Sequence, residues 1–184
     1  FAGQKNIIVS NTGYTGCGGF EIYCKNHQLI EIWDKIMLVG KNCNIKPIGL
    51  AARDTLRLEM GFCLYGNELS DNITPIEAGL TWITKFSKKF NGYNILKEQK
   101  ENGVKKKLIG FELIEKGIPR KDYEIYDEDQ VKIGRVTSGT MSPSLGKAIG
   151  LGFVDNSYAK TNTIIYINIR NNLIKALIIK PPFK

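Results

Sequence analysis

Six short runs of alternating apolar and polar residues fill the sequence beyond about residue 100. Turn-forming residues separate these runs, which are KLIGFELI, YEIYD, KIGRVTS, AIGLGFV, TIIYINIR and LIKALIIK. A period of two is typical of strands that bury one face. We therefore predict that the six runs form a small antiparallel barrel or sandwich. Asn171 and Asn172 stand between the last two runs, and because asparagine tolerates positive φ, we expect a tight hairpin there.

The stretch RVTSGTMSPSLGKAIGLGFV, which joins the third and fourth runs, combines glycines with small hydroxylated residues. Such a composition can cradle a phosphate. The order of the phosphate-binding loop, G-x-x-x-x-G-K-[ST], is absent, however, because Lys147 is followed by Ala148. We expect a long, well-packed loop of the barrel here.

Helical periodicity marks the first hundred residues. Apolar residues in QLIEIWDKIMLVGKN recur at helical spacing and predict a helix over residues 27–41. The stripe expected to pack inward consists of Leu29, Trp33, Ile36, Met37 and Gly40. The segment GLAARDTLRLEMG predicts a second helix that ends at Gly61, a residue type that favours a left-handed C-cap. In TPIEAGL, Thr74 and Glu77 have capping-box spacing and predict a short helix.

A polar, charged segment, KEQKENG at residues 97–103, separates the region with helical periodicity from the region with strand alternation and ends in glycine. Such segments are typical of domain boundaries. We predict one domain over residues 1–100 and a second over residues 101–184.

Composition narrows the possible partners. The formal net charge is +8 and the pI is near 9.3, so the chain would attract nucleic acid, acidic proteins or polyanionic small molecules. No signature of a nucleic-acid-binding motif is visible, and we expect no nucleic-acid partner. Four cysteines without a C-x-x-C pair and a single histidine offer no metal-ligand spacing, so we expect no metal. No apolar run approaches the roughly 20 residues that a membrane span needs, so we expect no membrane partner.

The stretch NTGYTGCGGFEIY, residues 11–23, concentrates glycines around Tyr14 and places Glu21 in a run that predicts a strand. Glycine is favoured where φ is positive or where another group approaches the main chain. The two oxygens of Glu21 suit a ligand with two parallel N–H donors, such as a guanidinium or the 2-amino-4-oxopyrimidine edge of a pterin. In the alternative interpretation, Glu21 faces solvent from an edge strand and Tyr14 caps the core.

Two arginines lie one turn apart on the second predicted helix, in AARDTLRLEMG. Asp54 is close enough in sequence to pair with Arg57, and an exposed pair of this kind contributes about 0.5 kcal/mol. The same cations can instead form an anion site. Two alanines leave room around Arg53, so we assign Arg53 to a ligand carbonyl or carboxylate and Arg57 to structure.

Several long segments occur in a distinctive order along the chain. They are TGYTGCGGFEIY, GLAARDTLRLEMGFCLYGNEL, TPIEAGLTW, KLIGFELIEKGIPR, IGRVTSGTMSPSLGKAIGLGFV and ALIIKPPF. Taken together, they resemble the C-terminal half of the glycine cleavage system T proteins, which are tetrahydrofolate-dependent aminomethyltransferases. The resemblance implies an α+β fold. Residues 1–100 would be part of a folate-binding α/β region, and residues 101–184 would be a small antiparallel C-terminal β-barrel.

The resemblance also implies an enzyme, its site and its partners. Tyr14, Glu21 and Arg53 would contact tetrahydrofolate, the co-substrate. The methylene of the aminomethyl group on the lipoyl arm of the H protein would pass to tetrahydrofolate, with release of ammonia. Such a protein is cytoplasmic in bacteria and lies in the mitochondrial matrix of eukaryotes.

The chain opens on Phe1 rather than methionine, and we expect that a preceding segment is missing. In the family, a carboxylate of the N-terminal half is thought to stabilise an iminium-like species. The catalytic residue is therefore expected upstream of residue 1, and none is assigned here. A chain without that half is expected to bind folate poorly and to lack turnover.

Two other functions stay open at this point. One is a folate-binding domain of a sarcosine or dimethylglycine dehydrogenase, or a related folate-binding protein, which would share the pocket and differ in the donor. The other is a basic, non-catalytic binding module, for which the charge is the only support.

Overall fold

Eight β-strands and three α-helices make up the chain, in a computed structural model that describes residues 1–184. The helices are α1 (Leu29–Gly40), α2 (Leu50–Glu59) and α3 (Tyr93–Asn102). The strands are β1 (Ile8–Ser10), β2 (Glu21–Tyr23), β3 (Lys106–Leu113), β4 (Glu124–Tyr126), β5 (Lys132–Ser142), β6 (Lys147–Asp155), β7 (Ile164–Ile169) and β8 (Asn172–Ile179). The chain divides into two compact units, Phe1–Leu56 and Arg57–Lys184.

Strands β3 to β8 form a closed antiparallel barrel with the order β3-β6-β5-β4-β7-β8. The first and last strands of the barrel complete the ring, since Gly110 pairs with Ile179 and Leu113 with Ala176. Alternate residues of the strands point inward and form the core. Its fully buried members include Phe111, Ile125, Val136, Ile165, Ile167 and Ala176, all at 0% exposure. The predicted six-stranded barrel is confirmed.

The hairpin between β7 and β8 is as tight as the asparagines indicate. Ile169 pairs with Asn172, which leaves Arg170 and Asn171 as a two-residue turn. Both turn residues have positive φ, 52° and 66°. Two successive positive φ angles are typical of the turn that matches the twist of a hairpin.

The stretch predicted as a long loop between β5 and β6 is a hairpin instead. Strand β5 continues to Ser142 and β6 begins at Lys147, so the connection is short. Three of the glycines that suggested a loop, Gly139, Gly150 and Gly152, lie inside the strands where another group comes close, while Gly146 lies in the turn. A Cβ at Gly139 would lie 2.5 Å from the carbonyl oxygen of Pro119, and one at Gly152 would lie 2.8 Å from Cδ1 of Ile125.

In the first unit, β1 and β2 form a two-stranded antiparallel sheet, and helix α1 follows. The helix agrees with the predicted one, but its packed face differs from the expected stripe. Ile32 is 2% exposed, whereas Leu29 and Trp33 are 54% and 51% exposed. The sequence period correctly predicts a helix, but which apolar side chains are covered depends on the neighbouring elements.

Helix α2 ends in the way that its glycine indicates. The amide of Phe62 donates to the carbonyl of Arg57 at 2.9 Å, and that of Gly61 donates to the carbonyl of Leu58 at 2.8 Å. Gly61 has a φ of 70°. This pair of hydrogen bonds around a left-handed glycine is the Schellman motif, which satisfies the last carbonyls of a helix.

The capping box at Thr74 forms without a helix behind it. The Thr74 amide donates to Glu77 at 2.8 Å, and the Glu77 amide donates to the Thr74 hydroxyl at 3.2 Å. The chain then makes turns rather than the predicted short helix. Gly79, at a φ of 74°, ends the helical course after a single turn. Residues 97–103, the predicted boundary, contain the end of α3 and Gly103.

Candidate functional site

The carboxylate of Glu21 is positioned by the β1–β2 ladder. Ser10 is the cross-strand partner of Glu21, and Ile8 is the partner of Tyr23. Because side chains alternate along a strand, Glu21 and Tyr23 lie on the same face, with Ser10 opposite Glu21. Glu21 and Tyr23 are both exposed. A carboxylate on an open, hydroxyl-rich face is available to a ligand.

Two hydroxyls donate to the same oxygen of Glu21. Thr12, in the loop after β1, donates from Oγ1 to Oε2, and the Tyr23 hydroxyl donates to Oε2 over 3.3 Å. The other oxygen, Oε1, accepts no hydrogen bond in the structure. A carboxylate has acceptor capacity on both oxygens. Glu21 therefore keeps capacity for an external N–H donor.

Among the glycines of the 11–23 segment, Gly16 has a left-handed backbone, with a φ of 74°. A side chain there would be strained. Gly13 and Gly18 have no heavy atom within 4 Å of the position that a Cβ would occupy. The main chain at these two glycines is therefore open on that side.

Tyr14 and Arg53 meet in the first unit. The guanidinium carbon of Arg53, on α2, lies 4.6 Å from the centroid of the Tyr14 ring. This distance is typical of a cation–π contact. The ring is half-buried and the arginine is exposed. The structure thus brings two of the three predicted ligand contacts together, while Glu21 contacts Thr12 and Tyr23. Their role as ligand contacts stays a prediction.

Arg57 belongs to a buried polar cluster in the second unit, formed by Arg57, Glu68 and Ser138. Nη1 of Arg57 lies 2.9 Å from Oε2 of Glu68, and Nη2 donates to Ser138 Oγ at 2.7 Å. Ser138 donates to Oε1 of Glu68 at 2.6 Å. Arg57 and Glu68 are both 0% exposed. The cluster is closed to ligands, which agrees with a structural role for Arg57.

Two other titratable groups of the second unit are structural in character. Burial, followed by the charge of Glu68, raises the pKa of the Cys63 thiol to about 11, so the thiol stays protonated at neutral pH and is a poor nucleophile. Glu59 is 0% exposed. Burial raises the pKa of Glu59, but hydrogen bonds from Ser142, Ser144 and Lys184 together outweigh it and leave the pKa below its usual range.

The structure contains no group of three or more His, Cys, Asp or Glu side chains placed to hold a metal ion. None of its helices has the length and apolar character needed to cross a membrane.

The sequence did not point to Thr12, Glu68 or Ser138. A signal for Tyr23 was present, because a spacing of two residues in a strand places it on the Glu21 face. Glu68 and Ser138 lie 11 and 81 residues from Arg57 along the chain, and no local pattern connects them. Thr12 lies outside the strand, so its contact with Glu21 depends on the path of the loop.

Two family models match the chain. Residues 1–88 match the GCVT N-terminal domain, and residues 106–184 match the glycine cleavage T-protein C-terminal barrel domain. The second match covers the six barrel strands.

Curated relatives and a solved structure agree with these matches. The chain is 58% identical over 183 residues to the aminomethyltransferase of Flavobacterium psychrophilum, covering 100% of this chain and 51% of the relative. It is 55% identical over 186 residues to the aminomethyltransferase of Bacteroides fragilis, covering 100% of this chain and 52% of the relative. The crystal structure of glycine cleavage system aminomethyltransferase T from Bartonella henselae matches with a TM-score of 0.90 at 30% identity, over 98% of this chain and 50% of that chain.

The chain thus spans about half the length of the curated relatives that it matches. Within that span, the two family models together cover both the strand that carries Glu21 and the closed barrel. The chain therefore belongs to the glycine cleavage T-protein family.

Proposed function

We propose that the chain is part of a tetrahydrofolate-dependent aminomethyltransferase of the glycine cleavage system. The enzyme transfers the methylene from the aminomethyl-lipoyl arm of an H protein to tetrahydrofolate and releases ammonia. The names of the relatives support the reaction class. They favour this function over a dehydrogenase domain and over a basic binding module. Because the relatives compared above are bacterial, we place the reaction in the cytoplasm.

The observation that carries the folate assignment is the state of the Glu21 carboxylate. It lies on an exposed face and retains an oxygen with no internal hydrogen bond. The pterin edge presents two parallel N–H donors, and hydrogen bonds from these donors to a carboxylate are charge-assisted. Two such bonds fix the orientation of a planar ring. Glu21 therefore binds and orients the pterin.

Tyr14 and Arg53 supply the remaining contacts in this proposal. The phenol ring of Tyr14 offers a flat face, and Arg53 lies against it at 4.6 Å. A guanidinium donates to carbonyl or carboxylate oxygens, which tetrahydrofolate carries on its pterin and its glutamate tail. The aromatic ring limits the positions open to the arginine, so the donor group is held in place before the ligand arrives.

The chemical step needs the folate nitrogen close to the carbon–sulfur adduct. Holding two reactants in a near-attack geometry supplies a large part of the rate enhancement in transfers of this kind. Glu21, Tyr14 and Arg53 do this for the folate side. The formal net charge of +8 also favours approach of an acidic carrier protein or of a folate with a polyglutamate tail.

Calorimetric titration with tetrahydrofolate tests the proposal, with the protein expressed from its complete reading frame. We expect Glu21→Ala to weaken binding about 100-fold, because two charge-assisted hydrogen bonds worth about 3 kcal/mol together are lost. The matched control is Glu31→Ala, since Glu31 is an exposed glutamate on α1 of the same unit and pairs with Lys35. If Glu21→Ala binds folate as tightly as Glu31→Ala does, the site is wrongly assigned.

A further inference from the structure

We propose that Thr12 is a positioning residue for folate: its hydroxyl holds one oxygen of Glu21 so that the carboxylate meets the pterin in a single orientation. This inference rests on the proposed function, because it assumes that Glu21 accepts hydrogen bonds from a pterin. Thr12 touches no reacting atom in this role. It acts through Glu21.

The direction of the hydrogen bonds follows from counting protons. An ionised carboxylate only accepts, and the Thr12 hydroxyl has a single proton to give. Thr12 therefore donates to Oε2 of Glu21. Ser10 Oγ lies 3.0 Å from Thr12 Oγ1, so Ser10 supplies the donor for that contact. The result is an ordered chain from Ser10 to Thr12 to Glu21, in which each bond strengthens the next.

The two hydroxyls that reach Oε2 are not equivalent. Hydrogen bonds from a hydroxyl to a carboxylate are usually 2.5–2.7 Å long. The Tyr23 hydroxyl is 3.3 Å away, whereas Thr12 is in close contact. A pterin N–H that approaches Oε2 can therefore replace Tyr23 at little cost, while Thr12 keeps the carboxylate in place. Oε1 receives the second N–H.

Fixing Glu21 before binding has a calculable benefit. Glutamate is a flexible side chain, and Glu21 is exposed on its strand, so neighbouring atoms do little to restrict its rotamers. Immobilising such a side chain on binding has an entropic cost that lowers affinity. The Thr12 hydrogen bond moves that cost from the binding step to the folding step. Its removal is expected to weaken folate binding by about fivefold to tenfold.

The experiment compares two ligands in the protein expressed from its complete reading frame. One is tetrahydrofolate, and the other is its 2-desamino analogue, which lacks one of the two pterin donors. We expect Thr12→Val to weaken tetrahydrofolate binding about fivefold to tenfold and to change binding of the analogue by less than twofold. The preference for tetrahydrofolate then falls. Thr12→Ser, which keeps the hydroxyl, is expected to restore both the affinity and the preference.

Two further variants give the matched controls. Tyr23→Phe removes the distant hydroxyl on the same carboxylate oxygen, and we expect less than a twofold change in affinity. Ser10→Ala removes the donor to Thr12, and we expect a loss of two- to threefold with the same fall in preference. This second route keeps the test decisive if Thr12→Val folds badly.

The outcomes separate the inference from the function on which it rests. The inference is overturned if Thr12→Val binds tetrahydrofolate like the parent, or if both ligands weaken by the same factor, which a merely structural role would produce. The proposed function survives either result as long as the parent binds folate and Glu21→Ala does not. If the parent fails to bind tetrahydrofolate, the proposed function itself is wrong.

Discussion

The barrel and the Phe1–Leu56 unit use their residues in opposite ways. In the barrel every strand has a partner on both sides, and its core includes residues at 0% exposure. The first unit has a two-stranded sheet with three residues in each strand, and only Gln28 and Ile32 are buried in it. All three proposed folate contacts belong to the first unit. The comparison teaches that the buried core and the proposed ligand contacts lie in different parts of this chain.

Closure explains the difference in burial. A closed sheet has no free edge, so its backbone N–H and C=O groups are satisfied within the ring and its inward side chains are covered on all sides. A two-stranded hairpin is marginally stable by itself and leaves both faces open. In the first unit Glu21 lies on an exposed position of such a hairpin.

The polar groups also differ between the two units, being buried and paired in the second and exposed in the first. Arg57, Glu68 and Ser138 are buried in the second unit, and hydrogen bonds connect all three. Buried charges of this kind are tolerated only when they are paired. The hydroxyls and the carboxylate around Thr12 and Glu21 are exposed, so they pay little desolvation cost and remain free to exchange partners with a ligand.

The sharpest test of this comparison removes one phenylalanine ring from each unit. Phe111 is 0% exposed in the barrel, and Phe20 is 70% exposed in the first unit. We expect Phe111→Ala to lower the free energy of unfolding by about 3–5 kcal/mol, because it leaves a cavity in a closed core. Phe20→Ala is expected to change it by less than about 0.5 kcal/mol.

Urea denaturation measures both effects, and hydrogen exchange locates them. The Phe111→Ala variant should lose amide protection in β3 and in its neighbours β6 and β8. An equal loss of stability in the two variants would contradict the division between a stable barrel and an open first unit.

A second test compares a buried with an exposed ion pair. Arg57 and Glu68 are 2.9 Å apart at 0% exposure, whereas Lys35 and Glu31 are 2.7 Å apart with side chains 45% and 53% exposed. We expect Glu68→Gln to destabilise the chain by about 3 kcal/mol, since the Arg57 charge stays buried without compensation. Glu31→Gln should cost about 0.5 kcal/mol or less.

The salt dependence of these two variants gives an independent check. Screening weakens exposed pairs, so the small effect of Glu31→Gln should shrink further as salt is added, while that of Glu68→Gln should not. A comparable salt response in the two would mean that the Arg57 cluster is open to water.

The smallest expected effect concerns pH. The pKa of Glu59 is lower in the folded chain than its usual value, because the hydrogen bonds from Ser142, Ser144 and Lys184 outweigh burial. The stabilisation by this carboxylate is therefore fully present above the unfolded pKa of about 4.3 and is lost as the pH falls through the lower, folded value. We expect Glu59→Gln to cost about 1–3 kcal/mol at neutral pH.

Urea midpoints for the parent and for Glu59→Gln, measured from pH 7 to pH 3, test the sign. The difference between the two proteins should decrease below about pH 4.3. A difference that grows on acidification would show that burial, rather than hydrogen bonding, sets the pKa of Glu59.

The sequence predicted the barrel strands well because the signals for strands and turns lie within a few neighbouring residues. Alternation over a few residues predicts each strand, and the asparagines predict a tight hairpin between β7 and β8. The turn itself lies one residue earlier than predicted, at Arg170 and Asn171 rather than at Asn171 and Asn172. The extent of β5 was mistaken for a loop, since Gly139 resembles a turn residue until its contact with Pro119 is known. Likewise, helical spacing in α1 does not reveal that Trp33 is half-exposed, because coverage depends on elements elsewhere in the chain.

In the candidate site, too, local sequence patterns were predictable and contacts between distant residues were not. The sequence showed a glycine-rich turn around Tyr14 followed by a strand carboxylate in residues 11–23, and a candidate ligand arginine at position 53. The family resemblance then implied that Tyr14, Glu21 and Arg53 share one folate site. The cation–π contact between those two side chains joins residues far apart in the chain, and spacing cannot report it. The same holds for the hydroxyl of Thr12 on Glu21, which depends on how the loop after β1 returns to β2.

The amino-acid sequence by itself determined most elements of this protein and the chemical types available to them: six alternating strands, two amphipathic helices, and a strand carboxylate among glycines, but not helix α3. Only the tertiary structure decided how the strands close into a ring, that Arg57 is sealed against Glu68, and which oxygen of Glu21 is already occupied. The physical reason is the separation along the chain over which each kind of interaction acts. Periodicity and turn chemistry act over a few residues, whereas closure, burial and side-chain pairing depend on distances between residues that the chain brings together only when it folds.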